Sequence, residues 1–280
     1  VTLLLGLHAA LLLPATLGDT PLLGVASLAA EAVLVASYFK LLVTDPGMVP
    51  GGNPADAELY WDALERLPQG AQLPESFCDR SELLRPPRGR FSPMSGGMVR
   101  VMDHDCPVIG CCIGEGNHRA FLAMAISGEL ALLLCARALL LHLAQRGGVV
   151  GGGLRLLRRA LASTHASAAA VVHARLLLLT ALLCALLLLV LTPLLLGQAL
   201  LVASNLTTVE FMRISRAQDL DKGHPPRAAG CRCRLPAACR AAKNAPHSRG
   251  LLRNVLAFAM AQRSLGLAEV VPAPAARPLN

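Results

Sequence analysis

The chain has 280 residues, of which 54% are hydrophobic and only 16% charged, with a mean hydropathy of +0.52, a balance that excludes an ordinary soluble domain and makes a membrane protein the default reading. A net charge of +8 and a pI near 9.3 raise the question of nucleic acid, but the 3% aromatic content and the placement of basic residues beside apolar runs point away from nucleic acid and toward anionic membrane lipids. The nine cysteines lack the framework spacing of a small secreted domain and are expected as reduced thiols.

Along the chain, Val1 to Leu17 forms a first apolar span that ends at Gly18-Asp19-Thr20-Pro21, and a second runs from Leu22 to Val43. A hydrocarbon layer of about 30 Å asks for about 20 apolar residues per helix, so the pair reads as a transmembrane hairpin over residues 1–43. The chain opens on Val1 rather than Met, as expected of a piece lacking its true start. No basic region precedes the first span, which argues against a cleaved signal peptide. Thr44 to Arg119 loses the hydropathy, gains Pro and Gly, and carries seven Arg with eleven acidic residues, as expected of a water-facing, loop-rich domain over residues 44–119. In the next segment, residues 120–204, Phe121 to Leu143 is a third span containing Glu129 and Arg137. Gln145 to Arg175 follows as a Gly-rich loop with an amphipathic helix around Leu154 to Leu161, and Leu176 to Val202 is a fourth, uncharged span.

Beyond Ser204, residues 205–280 turn polar, with twelve Lys or Arg against four Asp or Glu, which places the tail in the cytosol by the positive-inside tendency. The expected fold is an all-α membrane protein with four transmembrane helices and a cytosolic catalytic domain between helices 2 and 3. Both termini are then cytosolic and the loop between spans three and four is luminal, although that loop carries five Arg. Within the spans, Glu31 is expected either to pair with Arg137 or to sit near an interface, and Lys40 to snorkel. Cys231, Cys233 and Cys239 lie among Arg residues in the tail, a setting in which reversible acylation is one reading and unmodified surface thiols the other.

The chemistry concentrates in Asp103-His104-Asp105-Cys106-Pro107, just before the third span. A free thiol is only slightly ionised at neutral pH, so a nucleophilic cysteine needs a base beside it. His104 supplies one to Cys106, and Asp103 is a candidate to fix the orientation of its imidazole.

Arg85-Pro86-Pro87-Arg88, Asp103-His104-Asp105-Cys106-Pro107, Cys112-Ile113-Gly114, Asn117 and Phe121 together resemble the cysteine-rich domain of the Asp-His-His-Cys (DHHC) palmitoyltransferases, with Asp-His-Asp-Cys in place of the name motif. Three further blocks fall where that family has its motifs. Asp45-Pro46-Gly47 follows the second span, Thr207-Thr208-Val209-Glu210 follows the fourth, and Pro246 to Asn254 is similar to a carboxy-terminal motif ending on Asn254. Read from the residues alone, Asp45-Pro46-Gly47 is a helix-terminating turn, and Thr207, Thr208 and Glu210 make a cap. The resemblance implies that the Thr-Thr-x-Glu segment contacts the catalytic domain.

The resemblance further implies a two-step transfer. Cys106 takes a long-chain acyl group from palmitoyl-CoA as a thioester and hands it to a cytosolic cysteine of a substrate protein, with His104 as general base and Asp103 orienting it. It also implies an endomembrane setting, the Golgi or the endoplasmic reticulum. The family pattern includes two structural zinc ions, each held by three Cys and one His. Aligned without gaps, the first set of positions is Cys78, Ser81, Phe91 and Met98, and the second is Ser92, Ser95, Asp105 and Cys112. Only Cys78, Asp105 and Cys112 are zinc-ligand types, so any zinc site would be incomplete. The alternative function is a catalytically impaired relative, a membrane scaffold or partner that has lost zinc binding.

Overall fold

The structure, a computed structural model, describes residues 2–51, 54–69, 71–146, 148–161, 167–221 and 245–260. Cys231, Cys233, Cys239 and the Pro- and Ala-rich stretch 271–280 lie outside the described residues. In chain order the elements are helices α1 (Thr2–Leu11), α2 (Leu13–Asp19), α3 (Pro21–Val43) and α4 (Pro54–Glu65), then strands β1 (Phe77–Cys78), β2 (Leu83–Leu84), β3 (Arg90–Ser92), β4 (Gly97–Val99), β5 (His104–Cys106) and β6 (Cys111–Ile113). Helices α5 (His118–Gln145), α6 (Val149–Leu161), α7 (Ala168–Ser204), α8 (Thr208–Asp221) and α9 (Leu251–Ala259) follow. The chain divides into two compact units, one of Val1–Lys40 with Leu122–Leu196 and the other of Leu41–Phe121 with Gly197–Asn280.

The first unit is helical. Among the described residues, α3, α5 and α7 are long and apolar enough to cross a membrane; at about 1.5 Å per residue even α3 exceeds the hydrocarbon thickness. Only 17% of the most apolar window of α7 is buried, and Leu182, Leu189 and Leu196 point outward. A helix apolar on all sides and mostly uncovered belongs in lipid. The segment expected as the first span forms two short helices, α1 and α2, instead of one. Pro14, at the start of α2, lacks an N–H and crowds the preceding turn, and Leu12 at the junction has a φ of −112°.

The core of this unit gathers Leu12, Leu132, Ala138, Leu139, Leu177 and Cys184. Glu31 finds its partner in His8 on α1, at 2.6 Å, rather than in Arg137. A carboxylate in an apolar bundle is tolerable when a neighbouring helix supplies a polar partner. Glu129 accepts a hydrogen bond from the Thr192 hydroxyl at 2.6 Å for the same reason. The amphipathic helix expected around Leu154 is α6, which buries Gly152, Leu156 and Ala160 while its arginines lie on other faces.

The second unit corrects the all-α expectation. The protein is mostly helical, but this unit holds three antiparallel two-stranded hairpins, β1 with β2, β3 with β4 and β5 with β6. Strands of two or three residues are too short for a period-two pattern to register in sequence. Val99, Met102 and Cys112 form a small core with Met48 packed against it.

The turn after α3 docks onto this core. The Asp45 carboxylate accepts the N–H groups of Gly47 and Met48, each at 2.7 Å, and Gly47 has a φ of +101° that favours glycine. The Met48 and then the Gly47 hydrogen bond hold the Asp45 carboxyl below its ordinary range. Opposite lies the loop after β6, where a Cβ on Gly114 would come within 2.3 Å of the Pro46 carbonyl and one on Gly116 within 2.2 Å of the Asp45 carbonyl. The Gly116 N–H donates to the Pro46 carbonyl at 3.2 Å and the Arg100 N–H to Gly47 at 2.9 Å. Asp45-Pro46-Gly47 therefore does more than end a helix: it fastens the backbone beside β6.

Candidate active site

Strand β5 carries the candidate catalytic residues His104 and Cys106. Successive side chains of a strand alternate between faces, so His104 and Cys106 project from the same face. Cys106 is near enough to His104 to act on its imidazole. Cys106 is 8% exposed. On its other side, His104 Nδ1–H donates to Asp103 Oδ2 at 2.7 Å, and the ring packs edge-on against Phe121 with centroids 5.4 Å apart. Because an ionised carboxylate only accepts, Nδ1 carries the proton and Nε2 is left with a lone pair free to accept one.

Asp103 is completely buried yet richly bonded. The Thr208 backbone N–H donates to Oδ1 at 2.8 Å and the Thr208 hydroxyl to Oδ2 at 2.8 Å, while the Val209 N–H donates to the Asp103 carbonyl at 3.2 Å. These donors are the first turn of α8, where free N–H groups and the helix dipole favour an anion. Thr207 and Glu210 complete a capping box there: the Glu210 N–H donates to the Thr207 hydroxyl at 3.2 Å and the Thr207 N–H to the Glu210 carboxylate at 2.9 Å. Capping and contact with β5 are thus one arrangement. Burial pushes the Asp103 carboxyl up, but the His104 hydrogen bond, the His118 charge and the Thr208 N–H outweigh it and hold it well below the ordinary range. For His104, burial pulls downward while the Asp103 hydrogen bond and charge, then Cys106, raise it above the ordinary imidazole value.

Two residues around Asp103 escaped the sequence reading. Gln198, near the end of α7, donates to Asp103 Oδ2 at 3.4 Å and to the Thr208 hydroxyl at 3.3 Å, and accepts from His118 Nε2 at 3.1 Å. An amide in an otherwise aliphatic helix was the available signal for Gln198. For His118, which lies 4.0 Å from Asp103 Oδ2, it was the position between Asn117 and Phe121.

Arg88 ties this site to the rest of the unit. Its guanidinium, 2% exposed, grips both Glu210 oxygens at 2.7 Å, and also donates to the side chain and the carbonyl of Asn205 at 3.1 and 2.9 Å. Asn205 in turn donates to the His247 carbonyl at 2.9 Å. Asn254 accepts the Arg249 N–H at 2.8 Å and donates to the Ala203 carbonyl at 2.7 Å, which explains an asparagine at that motif position. Arg88→Met, which strands the Glu210 carboxylate, is expected to cost about 3–5 kcal/mol. Thermal unfolding of the detergent-solubilised protein checks this, and Arg88→Lys should recover only part of the loss because it lacks the planar fork.

The predicted metal residues fall in two places. Cys78 lies on β1, 2% exposed. Asp105 and Cys112 face each other across the β5–β6 hairpin. Among the described residues no three His, Cys, Asp or Glu side chains converge as a metal site. Phe91 and Met98, at two positions of the first ligand set, are a cross-strand pair, and neither offers zinc the thiolate or imidazole it requires. The residues present do not fit the two structural zinc ions.

The match to known proteins agrees with this geometry. The DHHC palmitoyltransferase family matches residues 71–215, more than half of the chain, and these residues include Cys78, Arg88, the Asp103-His104-Asp105-Cys106 strand and the Thr208 turn. The chain belongs to the DHHC palmitoyltransferase family. Among curated relatives, palmitoyltransferase ZDHHC7 of Mus musculus is 34% identical over 107 residues, covering 36% of this chain and 32% of that protein. Palmitoyltransferase ERF2 of Candida glabrata is 30% identical over 125 residues, covering 40% and 38%, and palmitoyltransferase AKR1 of Candida albicans 30% identical over 104 residues, covering 37% and 12%. The matched stretch thus spans about a third of the length of the mouse relative. With its three long apolar helices, this family member is a membrane protein.

Proposed function

We propose that the chain is a protein-cysteine S-acyltransferase that moves a long-chain acyl group from acyl-CoA to cysteines of substrate proteins. The observation that carries this reading is the Asp103–His104–Cys106 arrangement, in which a carboxylate 2.7 Å from Nδ1 leaves Nε2 unprotonated and His104 and Cys106 lie on one face of the same strand. His104 takes the Cys106 proton as sulfur attacks the thioester carbonyl. The bond from the acyl carbon to the CoA sulfur breaks, and the CoA thiolate leaves with the proton from His104. In the second step a substrate thiol gives its proton to His104 and attacks the Cys106 thioester, and the proton returns to Cys106.

In the same reading α1 with α2 supplies a first span, giving four, with both termini and the catalytic unit cytosolic in a Golgi or endoplasmic reticulum membrane. The basic tail and the placement of the site just before α5 support it. Substrates would be proteins that present cytosolic cysteines at that membrane surface. The scaffold reading rests on the changed zinc-ligand positions, but a base, its orienting carboxylate and a thiol are still present together on and beside β5, which favours the enzymatic reading.

The test is incubation of the purified protein with a clickable palmitoyl-CoA analogue, followed by mass spectrometry. The reading requires a hydroxylamine-sensitive label on the peptide containing Cys106. A protein that stays unlabelled, or is labelled only elsewhere, overturns it.

A further inference from the structure

The four positions that would form the family's second zinc site still converge, although two have become serine and Asp105 stands where the family has histidine. The Ser92 hydroxyl, completely buried, donates to Asp105 Oδ1 at 2.5 Å, and the Ser95 N–H donates to the Ser92 oxygen at 3.0 Å. Cys112, 1% exposed, lies opposite Asp105 in the hairpin register. This set joins the turn of the β3–β4 hairpin to the β5–β6 hairpin. Asp105 lies between His104 and Cys106, so whatever holds Asp105 holds the reactive strand.

The first set has gone a different way. Phe91 pairs with Met98 across β3 and β4, the Arg80 guanidinium stacks 5.5 Å from the centre of the Phe91 ring, and Met98 is 1% exposed. Ser81, in the remaining Cys position, has a buried hydroxyl with no hydrogen-bond partner. Such a set offers contact surface, not a coordination shell.

We propose that this family member has exchanged structural zinc for side chains: a hydrogen-bonded clasp of Ser92, Ser95 and Asp105, with Cys112 opposite Asp105 in the hairpin register, fixes the reactive strand, and the cross-strand pair of Phe91 and Met98 fills the other position. A short hydroxyl-to-carboxylate bond is among the stronger hydrogen bonds, and the burial of Ser92 limits competition from water at the donor. The clasp also accounts for the aspartate in the third position of Asp-His-Asp-Cys. A histidine there would present Ser92 with an imidazole rather than a carboxylate that accepts without changing tautomer.

The experiment uses the full chain, purified in detergent from zinc-supplemented cells, with zinc measured by plasma mass spectrometry and thermal unfolding followed with and without a strong chelator. The proposal requires less than stoichiometric zinc and an unfolding midpoint that the chelator does not move. Ser92→Ala should lower the midpoint by several degrees, again without any chelator effect. Restoring ligands with Ser92→Cys, Ser95→Cys and Asp105→His together should give a chain that takes up about one zinc ion, as a closed Cys₃His site requires, and that the chelator destabilises. Stoichiometric zinc in the unaltered protein, a chelator-sensitive midpoint, or an unmoved midpoint in Ser92→Ala would each overturn the proposal. None of these readouts depends on acyl transfer, so the proposal stands or falls separately from the enzymatic reading. If the restored chain does not fold, the zinc content and chelator response of the unaltered protein still decide.

Discussion

Cys106→Ala is expected to remove both the hydroxylamine-sensitive label and all transfer to substrate, whereas Cys111→Ser should leave the label in place. The chain offers other thiols nearby, which makes the contrast informative. Cys111 faces Cys106 across the hairpin and Cys112 is the next residue. Burial, and then the charge of Cys106, push the Cys111 thiol up; burial and Asp105 push that of Cys112 up to about 12, in spite of the opposing hydroxyl bonds from Ser92 and Ser95. A thiol so disfavoured as an anion is a poor nucleophile. Neither has a carboxylate-backed imidazole beside it, so neither should take over when Cys106 is lost. Label of unchanged intensity in Cys106→Ala would place the chemistry on another sulfur.

Asp103→Asn should lower the acylation rate about 10²- to 10⁴-fold while the protein remains folded. An amide presents an N–H where the carboxylate accepted, so it competes with His104, Thr208 and Gln198 for orientation and no longer fixes the tautomer that leaves Nε2 free. The pH profile supplies a readout that a merely structural defect would not move. In the native protein the raised His104 value means that imidazolium persists above its usual range, so the acid limb of activity should lie above about pH 6.5. Removing the anion removes the cause of that rise, and the limb of the residual activity should move to lower pH. Linkage gives the matching stability change. A raised histidine value contributes stability that is present below the unfolded value of about 6.5 and is lost as pH rises through the folded one, so Asp103→Asn should be most destabilising relative to the native chain on the acid side of that window. An Asp103→Asn profile superimposable on the native one would show that Asp103 does not act through His104.

Much of this site was legible because its parts are local in sequence. Asp103 immediately precedes the strand that carries His104 and Cys106, and a nucleophile, its base and an orienting carboxylate form a pattern recognisable from residue types alone. Contacts between distant positions could not be read from the residues, and the family resemblance implied only that the Thr-Thr-x-Glu segment meets the catalytic domain. Arg88 meets Glu210 across 122 residues, and Thr208 meets Asp103 across 105. No periodicity encodes such pairs. The apolar spans were readable from length and composition, yet Pro14 breaks the first into two helices, and Glu31 pairs with His8 instead of Arg137 because the nearer helix of the hairpin reaches it. The short hairpins were invisible for a different reason: two- and three-residue strands are defined by their partners, and the partners are known only once the chain has folded.

Gly114 and Gly116 give this unit a vulnerability that side-chain chemistry would not reveal. Each leaves room for a carbonyl of the Asp45-Pro46-Gly47 turn where a methyl group would collide with it, so a systematic alanine survey should score both as indispensable even though neither has a functional group to contribute. Read naively, such a map would draw the catalytic perimeter too wide; the true boundary follows the reacting atoms of β5, and these two positions mark instead how closely two stretches of main chain have to lie for that strand to exist.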